Sequence, residues 1–285
     1  GQLVDPVKPG TIKDCREFLD KYSQVQNFNI YGNERYVHQY ISEEYPQNEI
    51  NFDLNKIKLI TIDIEVAAES GFPDVFNVAE ELLLITIQDY ATKRIITWGS
   101  RPYVKNPQKK NHIYIDCHSE EGLITRFVDW WTKNTPEVIT GWNCEMYDIP
   151  YLMGRIDRLM GEKFAKRMSP WGICRRNEIT IQGRPNIVYD LAGISVIDYL
   201  DLYKKSPATP NQESFRLDHI AMMELGQKKL DHSEYDTFRD FYTKNWQKFV
   251  DYNVVDVELV DRLEDKLKLI DLCCTRAYDA KINFS

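Results

Sequence analysis

The spacing of apolar residues predicts alternating strands and helices from residue 58 onward. A buried strand is predicted at 58–66, followed by a hairpin of strands at 82–90 and 93–99. The segment "HIYID" predicts a short fourth strand, and "HSEEGLITRFVDWWTKN" combines a serine cap with helical apolar spacing, which predicts a helix near 119–134. This order of strands and helices is typical of an α/β domain built around a mixed sheet.

The second half of the chain continues the same pattern. "EVITGWN" predicts a buried strand, and the helix after it has Pro150 in its first turn. "NEITIQGRPNIVYD" alternates around Gly183, which predicts a long hairpin with its tip at 182–185. "GISVIDYLDLYKK" predicts a strand that runs into a helix, and a final long helix is predicted from about Asn245 to Tyr278.

The first residues differ in pattern and predict a separate, smaller lobe. Residues 1–56 contain a predicted helix around "IKDCREFLDKYS" and a predicted strand around "ERYVHQYI", and residues 57–285 form the predicted main domain. With 285 residues and 43% hydrophobic content, the chain can bury one large core beside a minor lobe. No apolar run reaches membrane-spanning length, so we expect no membrane partner.

Charge and cysteine usage narrow the possible functions. The net charge of −8 argues against a protein whose affinity for nucleic acid comes from broad phosphate neutralisation. Two basic runs, at 101–110 and 163–176, are possible local exceptions, and a solvated surface is the alternative interpretation. The six cysteines form no CxxC pair, which favours neither a zinc site nor a disulfide framework and suits a reducing cytoplasm.

Two acids interrupt the first predicted strand. Asp63 and Glu65 are two positions apart, so both carboxylates point to the same face. Neighbouring carboxylates repel unless they share a proton, face an arginine or bind a divalent metal ion. A D-x-E pair is common by chance, and a solvated strand edge is the alternative interpretation.

Acids occur at two further unusual places. Asp148 follows Asn143 and Tyr147 between a predicted strand and a helix, where capping of the helix is the alternative role. In the last predicted helix, Tyr252 and Asp256 are four apart and share one face. An ordinary Tyr and Asp pair at the edge of the core is the alternative there.

The three motifs D-x-E, N-x3-Y-D and Y-x3-D occur in one order that resembles the DEDD 3′→5′ exonucleases with a tyrosine in the last motif. The strings "GWNCEMYDIPYL", "GISVIDYLDLYKK" and "YNVVDVELV" are similar to the proofreading domain of family B DNA polymerases, in particular those of T-even-type tailed bacteriophages. The resemblance extends from about residue 30 to the end. It implies a ribonuclease-H-like exonuclease fold with a mixed central sheet flanked by helices, and part of a polymerase N-terminal domain in residues 1–56.

The resemblance also implies roles for individual residues. The four carboxylates that would bind two divalent metal ions, Mg²⁺ or Mn²⁺, are Asp63, Glu65, Asp148 and Asp256. Tyr252 matches the tyrosine that orients the attacking water. The residues implied in DNA binding are Phe72 against the terminal base, Asn143 in the second motif, Lys229 near the scissile phosphate, and Gly183 and Arg184 at the tip of the hairpin. Lys228 fits the lysine role equally well.

The predicted function is that of a metal-dependent 3′→5′ exonuclease acting on single-stranded DNA or on mispaired 3′ ends of a primer-template. The polymerase strings S-L-Y-P and D-T-D-S do not occur in the sequence, so the palm, fingers and thumb of a polymerase are the expected partners. The expected location is the cytoplasm of a phage-infected bacterium. The alternatives are a stand-alone DEDD-type exonuclease for DNA or RNA, and an interaction module without nuclease activity.

Overall fold

A computed structural model describes residues 4–5, 7–8, 10–31, 36–45, 53–68, 71–207, 209–231 and 233–281. The chain divides into two compact units. The smaller unit comprises the described parts of residues 1–52 and 275–284, and the larger unit comprises residues 53–274. Within the described residues, no helix combines the length and the apolar character needed to cross a membrane.

The predicted elements occur along the chain in the predicted order except for two that are corrected below, and the short helices at 162–165 and 238–244 were not predicted. The first elements are α1 (Ile12–Tyr22), α2 (Tyr36–Glu44), β1 (Leu59–Val66), β2 (Leu82–Asp89), β3 (Ile95–Gly99), β4 (His112–Asp116), α3 (Glu120–Lys133) and β5 (Val138–Gly141). The chain continues with α4 (Asp148–Met160), α5 (Glu162–Ala165), β6 (Cys174–Ile181), β7 (Arg184–Leu191), β8 (Ser195–Asp198) and α6 (Tyr199–Lys205). The last elements are α7 (Leu217–Leu225), α8 (Phe238–Lys244), α9 (Trp246–Leu267) and α10 (Leu269–Ala280).

A six-stranded mixed sheet in the order β4-β3-β2-β1-β5-β8 forms the centre of the larger unit. Strands β1, β2 and β3 are antiparallel neighbours, while β5 runs parallel to both β1 and β8, and β4 runs parallel to β3. β1 is therefore a central strand, flanked by β2 and β5, and is buried along most of its length. The predicted α/β fold with a mixed sheet and flanking helices is confirmed.

Apolar layers cover the two faces of this sheet. On one face Ile60, Ile62 and Ile64 pack in a core cluster with residues of α3 and α4. On the other face residues of β2 and β3 pack against α8 and α9. Because side chains alternate along a strand, the residues of β1 between these isoleucines face α9.

The predicted hairpin near 178–190 is confirmed as the separate pair β6 and β7. Its two turn residues, Gln182 and Gly183, have φ angles of 50° and 77°. Positive φ at both positions is the type I′ geometry that matches the twist of a two-residue hairpin, and glycine adopts it without steric penalty.

Two predicted elements are wrong. Of the strand predicted around "ERYVHQYI", residues 36–41 belong to helix α2, and the first two lie outside the described residues. The spacing of Tyr36, Tyr40 and Ile41 fits a helical period better than a period of two. The single long helix predicted for 245–278 is broken at Lys268, which has φ 53°. The carboxylate of Glu264 accepts the backbone N–H groups of Ile270 and Asp271, so it satisfies the free donors at the start of α10.

Several bases of the two basic runs form ion pairs with acids of the same unit. In the first run Lys109 pairs with Glu258 at 2.7 Å. The second run contains four such pairs, namely Lys166 with Glu162, Arg167 with Asp129, Arg175 with Asp190 and Arg176 with Glu178. These pairs support the interpretation of both runs as ordinary charged surface.

A buried histidine on β4 makes stability depend on pH. His112 is fully buried, and burial, together with nearby lysines, lowers its pKa from 6.5 to about 4. The unfolded chain therefore binds a proton below pH 6.5 that the folded chain does not bind, and stability falls as pH decreases from 6.5 to 4. We expect His112→Gln to reduce this loss when unfolding by urea is followed at several pH values. Equal pH slopes in the two proteins would contradict the assignment.

Candidate active site

Two carboxylates project from β1 toward α9, and a third comes from that helix. One oxygen of each of Asp63, Glu65 and Asp256 lies within 4.8 Å of the others. Glu65 and Asp256 are 8% and 4% exposed, and Asp63 is partly exposed. The first and last predicted motifs therefore meet in space. They are far apart in sequence, since 190 positions separate Asp63 from Asn253, which lies inside the last motif.

The fourth predicted carboxylate, Asp148, reaches the same strand by a different contact. It is the first residue of α4 and is 3% exposed. Its Oδ1 accepts the backbone N–H of Ile64 at 3.0 Å. The N-cap residue of this helix is Tyr147, and no side chain caps it, so the capping role considered for Asp148 is wrong. Asp148 is not one of the three acids whose oxygens lie within 4.8 Å of one another.

Burial and mutual repulsion make these acids reluctant to ionise. Burial raises the pKa of Asp63 well above 3.8, and Asp148 and Asp256 raise it further. Burial raises the pKa of Glu65 from 4.5 to about 8 and that of Asp148 from 3.8 to about 7. Without a bound metal ion, the cluster therefore holds protons near neutral pH.

An asparagine that the sequence analysis missed contacts the cluster directly. Asn253 is fully buried on α9, and its Nδ2 donates to Oδ2 of Asp63 at 2.6 Å. It lies next to Tyr252 in the last motif, so the motif itself was the available signal. This hydrogen bond fixes one oxygen of Asp63.

The structure distinguishes between the two candidate lysines. Lys228 is exposed, whereas Lys229 forms an ion pair with Asp256. Burial alone would lower the pKa of Lys229, but the carboxylate of Asp256 outweighs burial, and the pKa is raised. Lys229 is therefore the lysine that lies at the carboxylates.

Tyr252 lies one helical turn before Asp256, with its hydroxyl 3.5 Å from Nζ of Lys229. Its ring packs edge-on against Phe241, with centroids 5.7 Å apart. Burial and the charge of Asp256 raise the pKa of the phenol, so Tyr252 stays protonated at neutral pH. The hydroxyl can therefore donate a hydrogen bond beside the carboxylates.

A short loop joins β5 to Asp148 and contains Asn143. Asn143 has φ 68°, and its carbonyl accepts the backbone N–H groups of Met146 and Tyr147. Its own N–H donates to Asp198, a second residue that the sequence analysis missed. Asp198 belongs to the string "GISVIDYLDLYKK", whose resemblance to the family was noticed without a role for this acid.

The remaining predicted residues lie outside the carboxylate cluster. Phe72 is 83% exposed, and its ring contacts that of Tyr147, one residue before Asp148, with centroids 5.0 Å apart. Gly183 and Arg184 lie at the exposed tip of the hairpin, whose strand β7 packs against α4. The structure therefore gives Phe72 a contact next to the cluster and leaves the hairpin tip exposed.

The donor set fits hard divalent cations. All candidate ligands are carboxylate oxygens, which Mg²⁺ and Mn²⁺ prefer over softer donors. Three of them converge within 4.8 Å of one another, and the ammonium of Lys229 already balances part of their charge. Within the described part of the chain, no other group of three such side chains converges in this way.

Removal of the lysine countercharge tests this electrostatic arrangement. We expect Lys229→Met to lower the free energy of unfolding in EDTA by about 3 kcal/mol, since it removes the cation that pairs with a buried carboxylate. Lys228→Met, at the exposed neighbouring position, should change it by less than about 0.5 kcal/mol. Chemical denaturation of both variants measures the difference, and equal losses would show that Lys229 does not balance the cluster.

Comparison with known proteins agrees with this geometry. The sequence profile of "DNA polymerase family B, exonuclease domain" matches residues 20–220, which include Asp63, Glu65 and Asp148. The DNA-directed DNA polymerase of Escherichia phage RB69 is 30% identical over 95% of this chain and 32% of its own length. That of Enterobacteria phage T4 is 29% identical over the whole chain and 34% of its own length.

More distant similarity covers a smaller part of the chain. The DNA polymerase of Bombyx mori nuclear polyhedrosis virus is 29% identical over 54% of this chain and 16% of its own length. The chain spans about a third of the length of the two phage polymerases that it matches. The profile match covers more than half of the 285 residues, and the resemblance found in the motifs is confirmed. The chain belongs to the exonuclease domain family of the family B DNA polymerases.

Proposed function

We propose that the chain is a metal-dependent 3′→5′ exonuclease that removes nucleotides from single-stranded or mispaired DNA 3′ ends. The observation that carries this proposal is the convergence of Asp63, Glu65 and Asp256 within 4.8 Å in a largely buried position. Burying several like charges is unfavourable unless a cation compensates them. A hydrolytic metal site gives a physical reason for an arrangement that otherwise destabilises the fold.

The carboxylates of Asp63, Glu65, Asp148 and Asp256 would hold two divalent ions, Mg²⁺ or Mn²⁺. In phosphodiester hydrolysis such ions supply an activated water and stabilise the leaving oxygen. The protein keeps the ligands in place, since Asn253 binds one oxygen of Asp63 and the backbone of Ile64 binds one oxygen of Asp148. Metal binding at these acids would displace protons, because their pKa values are raised in its absence.

Tyr252 and Lys229 would act on the reacting groups. The protonated phenol of Tyr252 can donate a hydrogen bond and thereby orient the attacking water. The ammonium of Lys229, which contacts Asp256, can stabilise negative charge that develops on the phosphate. Their polar atoms are 3.5 Å apart, so both side chains can act at the same reacting group.

The proposed substrate end is a frayed strand rather than a duplex. Phe72 offers an exposed ring beside Tyr147, on which a terminal base can stack without readout of its identity. We further propose that Asn143 contacts the DNA strand near this ring, and that Gly183 and Arg184 of the hairpin separate primer from template. Sequence-independent binding is what removal of any mispaired nucleotide requires.

The rest of a polymerase is the proposed partner. The two phage relatives are about three times as long as this chain and are DNA-directed DNA polymerases. We propose that residues 1–56 are part of the polymerase N-terminal domain, and that palm, fingers and thumb deliver the primer end to the carboxylates. The proposed setting is the cytoplasm of a phage-infected bacterium.

Digestion of 5′-labelled single-stranded DNA with Mg²⁺ tests the proposal. We expect a ladder that shortens from the 3′ end, and its loss in EDTA. Asp63→Ala should reduce turnover by at least about 100-fold, because it removes a metal ligand. Turnover at the wild-type rate in Asp63→Ala would overturn the metal assignment.

Three controls accompany this assay. Asp53→Ala removes an acid that caps a short turn before β1 and, among the described residues, bonds to Asn55, so it should leave turnover unchanged. A labelled RNA of the same sequence separates a DNA exonuclease from a ribonuclease of the same fold. Calorimetric titration with Mn²⁺ separates an inactive nuclease from an interaction module, since the latter has no reason to bind two ions.

Exposed aromatic residues provide a test of substrate binding. We expect Phe72→Ala to raise KM for single-stranded DNA about tenfold, within the ~1–3 kcal/mol that base stacking contributes. Trp171→Ala is the matched control, because Trp171 is also highly exposed, at 71% against 83% for Phe72. Steady-state kinetics on the labelled strand measures both, and an equal change in KM would refute a specific role for Phe72.

A further inference from the structure

A buried acid at the end of β8 contacts the loop that leads from β5 to Asp148. Asp198 is 7% exposed and pairs in register with Gly141, the last residue of β5. Because β5 and β8 are parallel, both strands end at the same edge of the sheet. Asp198 is therefore placed to contact the residues that come directly after either strand.

The carboxylate of Asp198 accepts four backbone N–H groups from two separate segments. Within its own segment, Oδ1 accepts from Leu200 at 3.0 Å and from Asp201 at 3.4 Å, which caps α6. From the loop after β5, Oδ1 accepts from Asn143 at 3.1 Å and Oδ2 accepts from Glu145 at 3.0 Å. Capping α6 needs one oxygen, so the second oxygen is used only by the loop.

The loop that Asp198 holds has little freedom of its own. Asn143 adopts φ 68°, a left-handed conformation that L-residues other than asparagine and aspartate seldom adopt. At Gly141, a Cβ atom would lie 2.5 Å from the carbonyl oxygen of Ile62, so the loop leaves β5 in close contact with β1. The bonds from Asp198 stabilise this path, which ends at Asp148.

The path continues to the strand of the active site. Asp148 accepts the N–H of Ile64, which lies between Asp63 and Glu65. A continuous series of contacts thus joins Asp198, the loop and Asp148 to the metal-binding strand. A shift of the loop would move Asp148 relative to the other carboxylates.

We propose that Asp198 is a positioning residue of the nuclease reaction, which holds the loop at Asn143 and Glu145 so that Asp148 lies at the carboxylate cluster. This inference rests on the proposed exonuclease function for its effect on the rate. The placement of Asp148 against Ile64 can be measured without any assay of activity, from the amide resonance of Ile64.

Two substitutions separate the loop contacts from the helix cap. Asp198→Asn retains one acceptor oxygen and replaces the other with an NH2 group, which cannot accept a hydrogen bond. The side chain can therefore no longer accept from both Asn143 and Glu145, and one contact with the loop is lost. Asp198→Ser retains a good N-cap for α6 and is too short to bridge to the loop. Ser119→Ala is the control, because it removes the cap of α3, where Ser119 accepts from Gly122 at 3.1 Å.

The experiment measures kcat and KM on 5′-labelled single-stranded DNA, and the ¹H–¹⁵N spectrum of each variant of the whole chain with and without Mg²⁺. We expect both Asp198 variants to lose at least about tenfold in kcat with KM unchanged, since a misplacement of about 1 Å can cost on the order of 100-fold. The amide proton of Ile64 should move upfield in both variants, because it loses its bond to Asp148. Ser119→Ala should change neither kcat nor the Ile64 resonance.

The outcomes distinguish the two hypotheses. Wild-type kcat and an unchanged Ile64 resonance in the Asp198 variants would overturn the positioning role while leaving the exonuclease intact. An inactive wild-type chain would count against the proposed function, and the Ile64 resonance would then decide alone whether Asp198 positions Asp148. If Asp198→Asn fails to fold, Asp198→Ser provides the same test with the cap preserved.

Discussion

The burial of several carboxylates at one place is the constraint on which the larger unit depends. Asp63 and Glu65 lie in a central strand, where charge is normally excluded, and Asp256 faces them from α9. Like charges at this separation in a low-dielectric interior repel strongly. The contacts of Asn253, Lys229 and the Ile64 amide each relieve part of that repulsion. The apolar cluster on the opposite face of the sheet supplies the stability that permits this local strain.

Much of the fold could be predicted from the chain because its strands and helices have clear periods. The two errors have local causes. The segment around Tyr36 is short and rich in residues that favour strands, so composition predicts a strand where the spacing alone indicates a helix. The break at Lys268 depends on Glu264, whose bonds to the start of α10 link positions six and seven residues apart and are invisible to periodicity.

The site was predictable to a different degree for each kind of residue. Asp63, Glu65 and Asp256 carry charge at positions where the pattern demands apolar side chains, so the sequence itself marks them. Lys229 and Lys228 are adjacent, and only the fold shows which of them contacts Asp256. Asn253 and Asp198 act through hydrogen bonds to atoms distant along the chain, and no local pattern identifies such partners. Long-range polar contacts are thus the part of a site that requires a structure.

The alternation of β1 also limits how this chain can change its length. One residue added to or deleted from β1 would shift the strand by one position, which exchanges its two faces. The isoleucines would then point toward α9 and the acids into the apolar layer. The hairpin of β6 and β7 has no such restriction at its exposed tip, where insertions are commonly tolerated. Among descendants of this chain, we therefore expect length variation to concentrate at the hairpin and to spare the strand of the carboxylates.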